Sequence, residues 1–552
     1  DELKAFIRAS PRASDYYSPL SSDVRNAMRE LYGLPDSAST LDFPDYSETN
    51  IQVKGVDEAD LIKTDGKHIY LISNRNFTIV KAYPAEEAEV LCSIEFNGTL
   101  KGAFINGERL VIFEEIRING AATSIKVYDV SDREKPELKR DFSIDGSYFN
   151  SRMIGDYVYT VVSYRAYVSD DEVALPRFYS DNRVEEMDIS EIYYSDAPDY
   201  SYAFTTVVAV NALIDEEDPT RESILLGAAR SMYVSRNDIY IAFPKDGMTH
   251  IYRIHIEGSE LTFAAGGVVP GYVLNQFSMD EYLDHLRIAT TTSHLARSWN
   301  HATSRNHIII LNMDLNVVGV LEDLAPGERI YSARFMGDRC YLVTFRKVDP
   351  LFVVDMEYPE APRVLGELKI TGYSDYLHPY DENHIIGVGK ETIAAEQGDF
   401  SWYQGVKISL FDVSEVENPQ ELDKYEIGNR GTDSPVLKDH KAFLFDRAKN
   451  LLVLPVLVAE VDEEQFPNGI PPTQRGTYTW QGAYVFTISI ESGLILEGGV
   501  THLGDDQNVR AASTYHVTRS LYIGNVLYTI SNKRIMMNSL EDLSVVKTLE
   551  LP

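Results

Sequence analysis

Short stretches of alternating apolar and polar residues, each broken by a tight Gly, Asp or Asn turn and resumed as a β-branched and aromatic run, recur nine times along the chain. The copies read LIKTDGKHIYLIS (61–73), GAFINGERLVIFEE (102–115), SRMIGDYVYTVVS (151–163), SMYVSRNDIYIAF (231–243) and FSMDEYLDHLRIATTT (277–292). They continue with ARFMGDRCYLVTF (333–345), YLHPYDENHIIGVGK (376–390), HKAFLFDRAKNLLVLPV (440–456) and SLYIGNVLYTIS (520–531). A period of two marks a strand with one buried face, and the turn residues tolerate the backbone that a tight hairpin needs. A third strand ending in Asp, a turn, and a Pro ahead of a fourth strand return at VYDVSDREKPEL (127–138), VVDMEYPEAPRVL (353–365) and LFDVSEVENPQEL (410–422). Proline is tolerated there because its missing N–H costs no ladder bond. Repeated four-strand units of this kind are the blades of a β-propeller.

The expected fold is therefore all-β: one propeller over residues 49–552, nine-bladed by count, with eight blades the alternative if one repeat lies outside the ring. Residues 1–48 lie outside the repeat and form a short helical extension. DELKAFIRAS predicts one helix, with Asp1 as N-cap and Leu3, Phe6 and Ile7 on one face, and VRNAMRELYG (24–33) a second, stopped by Gly33. NIQVKG (50–55) is free to add to a blade edge and help close the ring.

Four insertions interrupt the repeat, at 164–203, 293–306, 394–404 and 457–482, each between the second and third strands of its blade. In a propeller those connections emerge on one face, conventionally the top, and long loops on a rigid scaffold are where function concentrates. All three tryptophans, Trp299, Trp402 and Trp480, fall in them. The blade-three insertion adds Tyr164, Tyr167, Tyr179, Tyr193, Tyr194, Tyr200 and Tyr202 among many carboxylates. Such aromatics either pin the loops to the propeller or stack against a sugar or protein partner.

At or beside the starts of the innermost strands stand Arg152, Arg230, Arg334, His378, His440, Lys441 and Arg519. Read as a ligand site, Arg152, Arg230, Arg334 and Arg519 form a cationic channel mouth that takes a carboxylate or sulfate, beside the three tryptophans. Read as structure, each pairs with an acid such as Asp60 or Asp439. His378, His384 and His440 come from adjacent blades and are the candidate transition-metal ligands; His294, His301 and His307 match no standard zinc spacing. No cofactor is expected, with calcium on irregular loops the one alternative, since no EF-hand pattern is present. No nucleophile elbow, H-E-x-x-H, P-loop or dinucleotide fingerprint occurs either.

A formal charge of −34 disfavours nucleic-acid partners, whose phosphates it repels. The two cysteines, Cys92 in the last strand of the first repeat and Cys340 in the second strand of the sixth, are expected as unpaired, buried thiols. No apolar run approaches the ~20 residues of a membrane helix. A chain that opens on Asp1 is expected to have lost an export signal or lipid anchor, and the sequons at Asn76 and Asn97 agree with export.

NIQVKGVDEADLIKTDGKHIYLIS, GYVLNQFSMDEYLDHLRIATTT, ERIYSARFMGDRCYLVTFRKVDPLFVVD, YLHPYDENHIIGVGKE and DHKAFLF together resemble the secreted β-propeller family of archaea and some bacteria that is distantly related to WD40 proteins. The Gly-His and Trp-Asp pairs of true WD40 repeats are absent. The resemblance implies a propeller and export; the family has no agreed activity, so it carries no catalytic residues across. Two functions are expected on these grounds. One is a secreted or cell-surface recognition module that binds a glycan or a protein of the cell envelope through the decorated face. The alternative is a hydrolase or metal-dependent enzyme working at the top of the channel.

Overall fold

The computed structural model describes residues 44–552 except 119, 170–171, 181–182, 195–201, 228, 293–303, 346–348, 397–399 and 505–507. The two helices expected in the N-terminal extension lie outside these residues. The described chain is a nine-bladed β-propeller in which each blade contributes four antiparallel strands. It divides into two compact units: Gly55–Lys81 with Glu89–Val269, which carry blades one to four, and the described part of Val24–Lys54 with Ala82–Ala88 and Pro270–Pro552, which carry blades five to nine.

Blade six shows how the repeat becomes a sheet. Arg329–Met336 pairs with Arg339–Phe345, then Asp349–Asp355, then Arg363–Ile370, in sequence order. Burial is greatest in the middle strands of the blades. Second strands such as Arg339–Phe345 are buried almost throughout, because both faces meet a neighbouring blade. Outer strands such as Gln420–Ile427 and Glu260–Pro270 mostly alternate half-buried and exposed. The apolar side chains of adjacent blades interdigitate: Ile386, Val388, Ile408 and Leu410 of blade seven meet Leu452, Leu454, Val456 and Phe486 of blade eight. In the first unit Phe104, Val111, Phe113 and Ile125 of blade two meet Val158, Val162, Val208 and Val210 of blade three.

The hairpin glycines are required by backbone conformation. Gly155 and Gly337 have φ of +56° and +55°, and a Cβ on either would meet nothing within 4 Å. Their constraint is the left-handed region itself, which side chains disfavour.

Residues 50–55 form no ladder with a blade edge themselves; the chain on either side of them is seated on innermost strands. In the second unit Tyr46 bridges Ile523, Ser47 donates its amide to the Tyr522 carbonyl at 3.0 Å, and Gln52 Nε2 donates to the carbonyls of Gln276 and Met279. In the first unit Asp57 and Glu58 pair with Met153 and Arg152, and Asp60 bridges Ala103. The blade-three insertion is also more ordered than a loop. Its hairpin Arg177–Ser180/Arg183–Glu186 docks on the outer strand of blade two, and Ile192–Tyr194 runs parallel to the outer strand of blade three. Two sheet edges are thereby covered.

Cys92 and Cys340 lie in the strands expected of them, and both are unpaired. Burial pushes the Cys340 thiol up to about 12, beyond the reach of thiolate chemistry at neutral pH. Among the described residues no helix is long and apolar enough to cross a membrane.

Candidate functional site

Two members of the expected cationic cluster, Arg152 and Arg519, are engaged by the protein's own carboxylates. Arg152, 2% exposed, faces Glu58 at 3.5 Å and donates to Asn150 Oδ1 at 2.9 Å. Lys63, on the innermost strand of blade one, holds Asp57 at 2.7 Å. Arg519 is bonded to Asp439, one of the two acids foreseen for the structural role. Burial would raise the Asp439 carboxyl, but Arg519, Lys441 and His440 beside it overcome that and hold it well below the usual carboxylate range. Arg334 is buried, and Arg230 is the exposed member of the set.

The three histidines do not share a site. His378 Nδ1 stands 2.8 Å from the Tyr376 hydroxyl, with its ring against Phe443 and Phe445. His440 is fully buried edge-on to Phe277. His384 bonds Asp381 across the hairpin turn at 2.7 Å. Among the described residues no three His, Cys, Asp or Glu side chains converge as metal ligands would.

The insertions fare differently. Trp299 lies outside the described residues. Trp480 is half-buried, its ring tilted against that of Tyr484 at 4.7 Å and close to Gly482 and Gly499; a Cβ at either would come within 3 Å of the indole. That ring serves packing. In the blade-three insertion Tyr202 is buried, Tyr179 bonds Asp145 at 3.0 Å and Tyr164 contacts Tyr167. Tyr193 stacks on Phe263 at 4.8 Å and Tyr194 is exposed; Tyr200 is outside the described residues.

Trp402 is the exception. It opens the third strand of blade seven, Ser401–Asp412, opposite Ile393, and is only partly covered. Phe400 meets its ring edge-on at 5.0 Å and is 43% exposed. Tyr403 is 41% exposed; its hydroxyl lies 3.2 Å from that of Tyr331, and its ring packs on Tyr373 and Phe345. Over the indole, at 5.1 Å, lies the guanidinium of Arg430, which also donates to the Tyr403 carbonyl at 3.1 Å. Arg430 has no carboxylate within ion-pair distance among the described residues. The blade-eight insertion steadies this loop: Gly476 donates its amide to the Arg430 carbonyl at 2.8 Å, and Gln404 Nε2 bonds the Pro472 carbonyl at 3.1 Å. The result is a rigid aromatic shelf at the strand two–three ends of blades six to eight, with a fixed cation on it. Stacking on a ring and holding an anion is the chemistry this arrangement offers.

Arg430 escaped the sequence reading because it sits in the blade connection NRGTDSP (429–435), outside the repeated phrase. Its signal was adjacency to an insertion.

A family model described as "Beta propeller domain" matches residues 46–543. The chain is 29% identical over 590 aligned residues to an uncharacterised protein of Methanocaldococcus jannaschii, covering 92% of this chain and 83% of that one. It is 29% identical over 494 residues to an uncharacterised protein of Archaeoglobus fulgidus, covering 74% and 75%. Among solved structures, the propeller domain of the Trilobed protease from Pyrococcus furiosus is similar with a TM-score of 0.33 at 9% identity, covering 70% of this chain and 95% of that one.

Proposed function

The chain belongs to the β-propeller domain family, and we propose that it is a recognition module of the cell envelope whose shelf at Trp402 and Arg430 binds acidic glycans. The propeller fold is compatible with a binding module. The observation that carries the finer reading is the pairing of part-exposed Trp402, Phe400 and Tyr403 with a guanidinium that has no carboxylate partner among the described residues. An indole face stacks on a sugar ring while a guanidinium takes its carboxylate or sulfate in bidentate fashion. Residence outside the cell belongs to the same reading and is supported by the resemblance of the long motifs to exported propellers. Trp299 is the second indole this reading assigns to the ligand surface.

Tryptophan fluorescence titrated with polygalacturonate, heparin and a neutral glucan tests it. The acidic polymers should perturb the emission, less so at high salt, where the charge term is screened. Trp402→Ala and Arg430→Ala should each weaken binding by about tenfold or more, a loss of ~1.4 kcal/mol. No response to any polymer, or equal binding by both variants, overturns the glycan reading. Capture of an envelope protein that Trp402→Ala abolishes would replace the glycan by a protein partner on the same shelf.

A further inference from the structure

Asn-x-Thr occurs twice in the chain, as Asn76-Phe77-Thr78 and Asn97-Gly98-Thr99, both in the first unit, and the fold treats the two in opposite ways. Such a tripeptide accepts a glycan only where the asparagine carboxamide and the threonine hydroxyl can be reached together, on a surface loop. Asn76–Lys81 is the third strand of blade one. Asn76, Phe77 and Thr78 pair with Ser73, Ile72 and Leu71 on one side and with Glu95, Ile94 and Ser93 on the other. Phe77 and Thr78 are 0% and 1% exposed, and the Thr78 hydroxyl lies 3.2 Å from Ser93 Oγ. Reaching that hydroxyl means parting two ladders and leaving their backbone groups unmade, which the sheet opposes.

Asn97 is placed otherwise. It lies in the short connection from the outer strand of blade one, Glu89–Glu95, to the innermost strand of blade two, Thr99–Asn106. Phe96 and Leu100, both buried, anchor the chain on either side, while Asn97 and Thr99 between them are exposed. The turn is held by backbone alone. Phe96 donates its amide to the Arg75 carbonyl at 2.9 Å, and Gly98 donates its amide to Oε1 of buried Glu114 at 2.6 Å. A Cβ on residue 98 would lie 2.1 Å from the Glu115 carbonyl oxygen, so glycine is what lets the connection rest on the second strand of blade two, Arg109–Arg117. Among the described residues, neither the Asn97 carboxamide nor the Thr99 hydroxyl is taken up by a hydrogen bond. The acceptor group and the hydroxyl that marks it are thus presented together on a fixed base.

We propose that Asn97 is a site of N-glycosylation and that Asn76 is not. The Asn97 carboxamide nitrogen takes an oligosaccharide from a polyprenyl-diphosphate carrier. A bond forms between that nitrogen and the anomeric carbon, and the carbon–oxygen bond to the diphosphate breaks. The lipid diphosphate leaves with the electron pair, and the amide gives up one proton to the transferase. The inference rests on the reading that the protein resides outside the cell, and not on the shelf at Trp402.

Peptide mass spectrometry on the protein isolated from its own cells, with envelope and cytosol kept apart, tests it. Trypsin separates the two tripeptides, into peptides 76–81 and 82–101. In the envelope fraction peptide 82–101 should carry the mass of an oligosaccharide and peptide 76–81 should not. Asn97→Gln and Thr99→Ala, both at exposed side chains, should each abolish the added mass, and Thr99→Ser should retain it. In a second arm the purified, folded protein is incubated with a single-subunit oligosaccharyltransferase and a polyprenyl-diphosphate-linked oligosaccharide. Asn97 should be modified in the folded chain, and Asn76 only after unfolding. An envelope protein with bare Asn97, a glycan on Asn76 of the folded chain, or a transferase that modifies Asn97 only in the unfolded chain overturns the proposal. A protein confined to the cytosol with Asn97 bare overturns it as well; acceptance of the folded chain by the transferase would then put the fault in the reading of residence rather than in the loop.

Discussion

Glu58→Gln is the most direct probe of how the innermost strands are held. Glu58 and Arg152 are among the most buried charges of the first unit, with side chains 2% and 3% exposed and 3.5 Å apart. At an effective dielectric of ~20 their attraction is about 5 kcal/mol. Removing one charge strands the other in a site that desolvates it, which typically costs about 3–5 kcal/mol. Arg152 keeps Asn150 Oδ1 at 2.9 Å and the Ser151 carbonyl at 2.8 Å, so the lower end, about 3 kcal/mol, is expected here. The effect should be local, because the backbone of residues 57–60 joins the sheets through two ladder pairs with Met153 and Arg152 and one bridge to Ala103. The Ala103 amide, which donates to the Asp60 carbonyl at 2.9 Å, reports it. Its hydrogen exchange, followed by mass spectrometry on peptides spanning 55–62 and 99–106, should accelerate roughly a hundredfold. Glu58→Leu with Arg152→Met removes both charges of the pair and should restore most of the protection. Unchanged exchange in Glu58→Gln, or a double variant as labile as the single one, would refute the account of a desolvated pair.

Three further outcomes are expected. His502 lies 1% exposed between Ser531 and Thr529, and burial, with Arg534 nearby, lowers its pKa to about 3. Because the folded form binds its proton less readily, its contribution is fully present above pH ~6.5 and lost as pH falls toward 3, about 2 kcal/mol at pH 5; His502→Gln should flatten that part of a stability–pH curve from urea melts. Gly482→Ala should lower the thermal midpoint clearly, since its Cβ would sit 2.3 Å from the Val500 carbonyl oxygen and 2.6 Å from the Trp480 ring; a variant as stable as the parent would mean the indole is not seated there. Thiol titration under denaturing, non-reducing conditions should find both cysteines free, with Cys340 silent in the native protein.

Blade number and order were legible because hairpins speak through local residues: a turn glycine with positive φ and a period-two run need no knowledge of the rest of the fold. The starts of the innermost strands were not. Bulges at Leu100/Gly102, Tyr148/Asn150, Ile330/Ser332 and Ser374/Tyr376 break the alternation there. The visible phrase therefore begins after the bulge, several residues late. Arg152, Arg334 and His378, placed at strand starts from the sequence, fall toward strand ends, while Arg519 does open its strand. The insertions were legible as departures from the repeat, but not which indole would be covered. Trp480 is claimed by two glycines on its own sheet, whereas Trp402 is flanked by Arg430 from a connection with no pattern of its own. Partners separated by hundreds of residues, such as Asn50 and Tyr376, leave no periodic trace at all.

The seating of residues 45–48 on blade nine has a consequence for the order of events during synthesis. Ser47 and Tyr522 bond across a sequence separation of 475 residues. Until the ribosome has delivered the last hairpin, that stretch lacks the strand it pairs with. Contacts between such distant positions form late, because the intervening chain must first be ordered. A chain terminated before Arg519 would thus lose more than one blade: residues 45–48 would stay unseated as well, open to solvent and to proteases.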